Sequence, residues 1–137
     1  NPDLYVNAII ICERSIMTDL FVFMEAATHL GHITKVEYEV FYSIYEMFMK
    51  LSKFKVDGVI YIRCEPSVSL ERINKRNRTG EEGIDIKYLT LLHENHEKWL
   101  LSSTPNFPVL TIDNTEPTGL VDNIDNVNKF MLIFPNV

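Results

Sequence analysis

Three clusters of polar side chains have the types and spacing that chemistry needs. The first, Glu13-Arg14-Ser15, directly follows the apolar run Val6-Asn7-Ala8-Ile9-Ile10-Ile11-Cys12. Open α/β sheets bind ligands beyond the carboxyl ends of their strands. An arginine there can hold phosphate or hydroxyl oxygens, and a carboxylate can help hold Mg²⁺. The competing reading is a charged helix start with Ser15 as N-cap, and position alone leaves both open. The second cluster is Arg72, Arg76 and Arg78, beside the glycine-flanked stretch Thr79-Gly80-Glu81-Glu82-Gly83. Converging guanidinium groups suit a lid over polyphosphate. Taken alone, a solvated basic stretch balanced by Glu71, Glu81 and Glu82 is the simpler account. The third is His93-Glu94-Asn95-His96-Glu97. A zincin helix spaces its histidines four apart, and these are three apart, on the stripe of Ile86, Leu89 and Leu100. They read better as structural histidines.

The elements that would position these groups can be read from periodicity. Val6–Cys12 is short and β-branched, as in a strand buried on both faces. A helix over 16–30 then carries Ile16, Leu20, Phe23, Ala27 and Leu30 inward, with Gly31 as its stop. Thr34 and Glu37 have capping-box spacing, so a helix over 34–54 comes next, with Val40, Phe41, Ile44, Met47, Phe48 and Leu51 on a broad apolar face. Val59–Ile62 is a second strand, and Pro66 opens a helix to about Arg76. Asp85 caps a helix to about Leu101, Pro108–Ile112 is a third strand, and a last helix covers about Leu120 to Phe134. Alternating strands and helices imply a parallel α/β sheet.

Composition narrows the partners. Thirteen Lys and Arg against nineteen Asp and Glu give a formal charge of −6, which argues against a sequence-blind nucleic-acid binder. No apolar run approaches a membrane span. Cys12 and Cys64 both end apolar runs, and two isolated thiols read as small buried hydrophobes in a reducing compartment. The expectation is a cytoplasmic protein, with the mitochondrion as second choice, and with neither nucleic acid nor membrane among its partners.

Together these segments resemble the deoxynucleoside kinase family. Glu13-Arg14-Ser15 matches the family's E-R-S motif, and Arg76-Asn77-Arg78-Thr79-Gly80-Glu81-Glu82 is similar to its lid. Tyr88-Leu89, Leu92-His93, His96-Glu97 and Trp99-Leu100 match a Y-L-x-x-L-H-x-x-H-E-x-W-L signature, and Val109–Asp113 resembles the last strand and the start of the adenine-sensing loop. The resemblance implies a partial P-loop-kinase-type three-layer α/β fold with an Arg-rich lid. It implies phosphorylation of a deoxynucleoside 5′-hydroxyl by ATP with Mg²⁺. Glu13 would help coordinate the metal, and Arg14 would hold the 5′-oxygen region. Asp19 would help read the base, which favours deoxycytidine or a purine deoxynucleoside over thymidine, because a carboxylate offers nothing to a thymine carbonyl. Phe23 would stack on the base, and Glu81 would accept the sugar 3′-hydroxyl. Arg72 would lie near adenine, with Asp113 at the loop, while Arg76 and Arg78 would grip phosphates. The family is usually dimeric, and the helices over 16–30 and 34–54 would form the interface.

The sequence departs from the family pattern at Asn77, where a small residue is usual, at Gly80, which leaves Glu81 and Glu82 as alternatives, and at Met17, where an aromatic is frequent. No Gly-x-x-x-x-Gly-Lys-[Ser/Thr] loop can be written on this chain, which opens Asn1-Pro2-Asp3 without an initiator Met. Residues 1–137 are therefore expected to be the C-terminal portion of one kinase domain, inactive alone. Two rivals stand beside this reading: a thymidylate-kinase-like nucleotide kinase, and a non-catalytic dimerising fragment.

Overall fold

The computed structural model describes residues 9–52, 55–116 and 119–134. Among the described residues the sheet has two strands, β1 (Val59–Arg63) and β2 (Val109–Asp113), paired parallel with Val59 opposite Val109 and Arg63 opposite Asp113. Helices flank this sheet, giving the mixed α/β architecture that alternation of elements implies. Tyr61 and Ile112 are buried, and together with Leu20, Val22, Ala26, Trp99, Leu100 and Phe107 they form the apolar interior.

The strand expected at Val6–Cys12 is not found where it can be checked. Residues 6–8 lie outside the described residues, and Ile9, Ile10, Ile11 and Cys12 are exposed and form no strand, with Ile11 76 % exposed. An apolar run becomes a strand only when a neighbour satisfies its backbone groups. Among the described residues β1 and β2 pair with each other alone.

Helix boundaries track local chemistry closely. Thr34 caps α3 (Lys35–Leu51): its hydroxyl accepts from Glu37 N–H, and the Glu37 carboxylate accepts from Thr34 N–H at 2.8 Å. Residues 53 and 54, the end of the expected helix, lie outside the described residues. Pro66 is the first residue of α4 (Pro66–Arg76), and Asp85 Oδ1 accepts from Tyr88 N–H at 2.8 Å to open α5 (Ile86–Glu97). Gly31 takes φ 73°, the left-handed turn that ends the helix before it. The expected single C-terminal helix is two pieces, α6 (Gly119–Asp122) and α7 (Ile124–Met131), broken at Asn123. The Asn123 side chain accepts a hydrogen bond from the Asn126 amide at 2.7 Å, the local bonding by which Asn competes with a helix interior.

Two expectations about faces are corrected. The helix over 16–30 is α1 (Ile16–Thr18) and α2 (Glu25–His29), joined by a π-helical turn over Asp19–Met24. The wide turn breaks the 3.6-residue period. Leu20, Val22 and Ala26 become the buried set, Phe23 and Ala27 are half-buried, and Leu30 is exposed. The face of α3 expected to be buried is mostly exposed: Val40, Ile44, Met47, Phe48 and Leu51 face outward, and only Phe41 is half-covered. Helix α3 is instead held by Tyr45 edge-on to Phe21 and by Tyr38, whose hydroxyl donates to Glu25 Oε1 at 2.7 Å. Burial and that carboxylate push the Tyr38 phenol up to about 12. No helix among the described residues is long and apolar enough to cross a membrane.

Candidate active site

Ser15 is the N-cap of α1, as the local reading of Glu13-Arg14-Ser15 allows, and its N–H donates to Thr18 Oγ1 at 3.3 Å. Arg14, immediately before it, has φ 63°. A left-handed backbone at a non-glycine residue is strained, and such strain gathers at functional sites. The conformation puts the Arg14 guanidinium 4.8 Å from the centre of the Phe23 ring, within cation–π range. Two residues singled out from sequence are thus brought together. Glu13 and Asp19 are exposed and make no ion pair among the described residues.

The lid arginines do not converge. Arg72 reaches across to the segment after β2, where Nη1 donates to the Asn114 carbonyl at 2.7 Å and Nη2 to the Thr115 carbonyl at 3.0 Å. Its Nη1 also lies 3.3 Å from Cys64 Sγ. Arg76 forms a forked pair with Glu81, 3.0 Å from Nη2 to each carboxylate oxygen. Helix α4 ends because Asn77 is left-handed at φ 50°, a conformation that Asn tolerates well, and this carries exposed Arg78 past the helix. The departure at Asn77 thus has a structural role. Glu82 accepts from Gly80 N–H at 2.8 Å, so the two neighbouring carboxylates have separate tasks here.

Asp113, at the carboxyl end of β2, accepts from Thr115 N–H at 2.8 Å and lies 3.6 Å from Arg63. The Thr115 hydrogen bonds, with the Arg63 charge assisting, hold its carboxyl below the usual range. Arg63 joins Asp113 to Glu65 (2.7 Å) and Glu97 (3.3 Å), and Glu97 also accepts from the Tyr61 hydroxyl at 2.9 Å. Burial and the Glu97 bond raise the Tyr61 phenol. Sequence reasoning singled out Glu97 and Asp113 but missed Arg63, Glu65 and Tyr61 and the bonds that join them; a charged residue ending each of two apolar runs was the trace of the Arg63–Asp113 contact.

Of the two histidines in the third cluster, His96 has structural partners. His96 Nδ1 lies 2.7 Å from the Leu92 carbonyl, and its ring stacks on Tyr61 at 5.6 Å. Burial depresses its pKa. Among the described residues no group of three or more His, Cys, Asp or Glu could hold a metal ion. A single exposed carboxylate, Glu13, fits an Mg²⁺ held mainly through substrate phosphates, which needs one or two protein carboxylates.

A strained arginine at a helix start, a guanidinium tied to the loop after a parallel strand, and a charged turn between α4 and α5 are the polar features of this α/β protein. The chain belongs to the deoxynucleoside kinase family: the family model described as deoxynucleoside kinase matches residues 4–133. It is 33 % identical over 131 residues to a probable deoxycytidine kinase of Fowlpox virus (strain NVSL), covering 93 % of this chain and 54 % of that protein. It is 34 % identical over 114 residues to deoxycytidine kinase 2 of Gallus gallus, covering 76 % and 43 %. With the mitochondrial thymidine kinase 2 of Homo sapiens it shares 30 % identity over 111 residues, covering 79 % and 42 %. The chain spans about half the length of these curated relatives.

Proposed function

We propose that residues 1–137 form the C-terminal portion of a single deoxynucleoside kinase domain, and that the full-length protein phosphorylates the 5′-hydroxyl of a deoxynucleoside using Mg·ATP. The carrying observation is Arg14, held in a strained conformation with its guanidinium over Phe23. An arginine there is poised beside a base stacked on Phe23, able to orient the 5′-oxygen and offset charge that develops as the phosphoryl group moves. Asp19, exposed on the same helix, would accept a hydrogen bond from an exocyclic amine, which favours deoxycytidine or a purine deoxynucleoside over thymidine.

Glu13 would help hold Mg²⁺, which neutralises phosphate charge when bound. Arg72, already bonded to Asn114 and Thr115, would lie beside adenine at the loop that Asp113 begins. Arg76 and Arg78 would grip phosphates and Glu81 the sugar 3′-hydroxyl, so the Arg76–Glu81 pair must open as substrates bind. No Gly-x-x-x-x-Gly-Lys-[Ser/Thr] loop occurs within these residues, so the phosphate cradle would come from chain outside them. A homodimer through the helices over 16–30 and 34–54 belongs to the same reading, supported by the outward apolar residues Val40, Ile44 and Met47 of α3. So does the reducing cytoplasm, which suits the free thiols Cys12 and Cys64.

The test is an assay of the purified full-length protein on deoxycytidine, deoxyadenosine, deoxyguanosine and thymidine. The expected result is 5′-monophosphate formation with thymidine the poorest substrate, and a loss of about 100-fold in kcat/KM for Arg14→Ala. Turnover of nucleoside monophosphates but not of nucleosides would instead establish the nucleotide-kinase rival.

A further inference from the structure

The turn that carries Asp19 and Phe23 has an irregular shape, and a bond from a distant helix holds it. A π-helical turn is rare because its wide ring makes poorer backbone bonds. Here it spans Asp19–Met24, and its inner carbonyl, that of fully buried Val22, accepts from Glu25 N–H. The same carbonyl accepts a second bond, 3.0 Å, from the side-chain amide of Asn95 on α5. Asn95 sits on a firmly anchored stretch of that helix. His96 stacks on Tyr61 of β1 at 5.6 Å with an interplanar angle of 6°, and Trp99, in the π-helical segment Lys98–Ser102 that continues α5, stacks on Phe21 at 5.5 Å.

The extra residue in the wide turn rotates the later residues relative to a regular helix. Leu20, Val22 and Ala26 are therefore buried, and Phe23 is left half-covered beneath Arg14. A regular 3.6-residue helix would draw Phe23 toward the core with Leu20. We infer that Asn95 is a positioning residue: its amide pins the wide turn at Val22, and so fixes Asp19 and Phe23 relative to Arg14 for the nucleoside base. The inference rests on the kinase reading above. It adds that base recognition is set partly from α5, by a residue that touches no substrate.

The experiment compares Asn95→Leu, Asn95→Asp and Asn95→Gln in the full-length enzyme. Loss of the donor in Leu and Asp is expected to raise the KM for the deoxynucleoside about five- to tenfold, the worth of one hydrogen bond. The KM for ATP should stay within about twofold, and Gln, which keeps an amide donor, should recover most of the nucleoside affinity. Amide hydrogen exchange over residues 23–26 should quicken in Leu and Asp and stay slow in Gln. A folded Leu or Asp variant with wild-type nucleoside KM overturns the inference, as does an equal rise in both KM values. If Leu fails to fold, the Asp-to-Gln comparison decides in the same terms. A wild-type enzyme that phosphorylates no deoxynucleoside overturns the kinase reading, and hydrogen exchange then still reports whether Asn95 pins the turn.

Discussion

His96 and Arg76 show how two residues with basic side chains come to do different work. Burial is the main force on His96, and it disfavours the imidazolium. The folded pKa therefore lies below the unfolded value of about 6.5, so between the two the unfolded chain binds the extra proton. Stability from this group is complete above the unfolded value and is lost as pH falls through that window. Urea unfolding at pH 7.5 and 5.5 should show a larger drop for the wild type than for His96→Gln. Equal drops would mean that His96 is not the titrating group. Arg76 is the opposite case. Its pair with Glu81 is partly exposed, 43 % for the arginine side chain and 24 % for the glutamate. Such a pair contributes at most about 1 kcal/mol to folding. If Arg76 grips phosphate as proposed, Arg76→Ala should leave the melting temperature nearly unchanged yet cut kcat/KM by about tenfold or more. A melting temperature that falls sharply with activity intact would assign the pair to stability alone.

At the scale of elements, local capping and tertiary packing can be separated by experiment. The Thr34–Glu37 box opens α3 at an exposed position and shares no hydrogen bond with Arg14 or the 76–82 segment among the described residues. Thr34→Ala should cost about 1 kcal/mol of stability without altering the nucleoside KM, read by chemical denaturation and steady-state kinetics. Gly58 is a packing case: a Cβ there would run into the Phe134 ring and lie 3.1 Å from that of Phe130. Gly58→Ala should displace the chain after α7 from the foot of β1, a shift readable from the methyl and aromatic NMR signals around Val59. Trp99 is the chain's single tryptophan and is buried between Phe21 and Phe107, so its fluorescence reports on the packing of the π-helical segment Lys98–Ser102, which continues α5, against the π-helical turn over Asp19–Met24.

For the molecule as a whole, the outward face of α3 is the feature that a lone chain does not explain. Val40, Ile44, Met47 and Leu51 are apolar, adjacent at helical spacing and exposed, and such a patch marks an interaction surface. If α3 forms the homodimer interface of the full-length protein, Ile44→Asp should yield monomers by sedimentation velocity at concentrations where the wild type is dimeric. Unchanged mass with that substitution would remove α3 from the interface. The exposed run Ile9–Cys12 is a second case at this scale. Its residues have the composition of a buried strand, but β1 has only β2 as a partner among the described residues. Composition makes a strand possible, and only a neighbour completes it.

What the sequence determined by itself was local in its physics. The Thr34 and Asp85 caps, Pro66 at a helix start, the left-handed Gly31, both paired strands and the motif at Arg14 all depend on residues a few positions apart, so they are legible along the chain. What tertiary structure decided depends on bonds between distant residues. Asn95 reaches Val22 across 73 positions and Arg72 reaches Asn114 across 42, and no periodicity encodes either. Periodicity likewise assigned α3 the wrong buried face, because its apolar residues do not say which neighbour, if any, will cover them. The residue types at the candidate site could be read from the chain, whereas Arg14 stacking on Phe23 and Arg76 meeting Glu81 are set by a wide helical turn and a left-handed cap that only the folded backbone reveals.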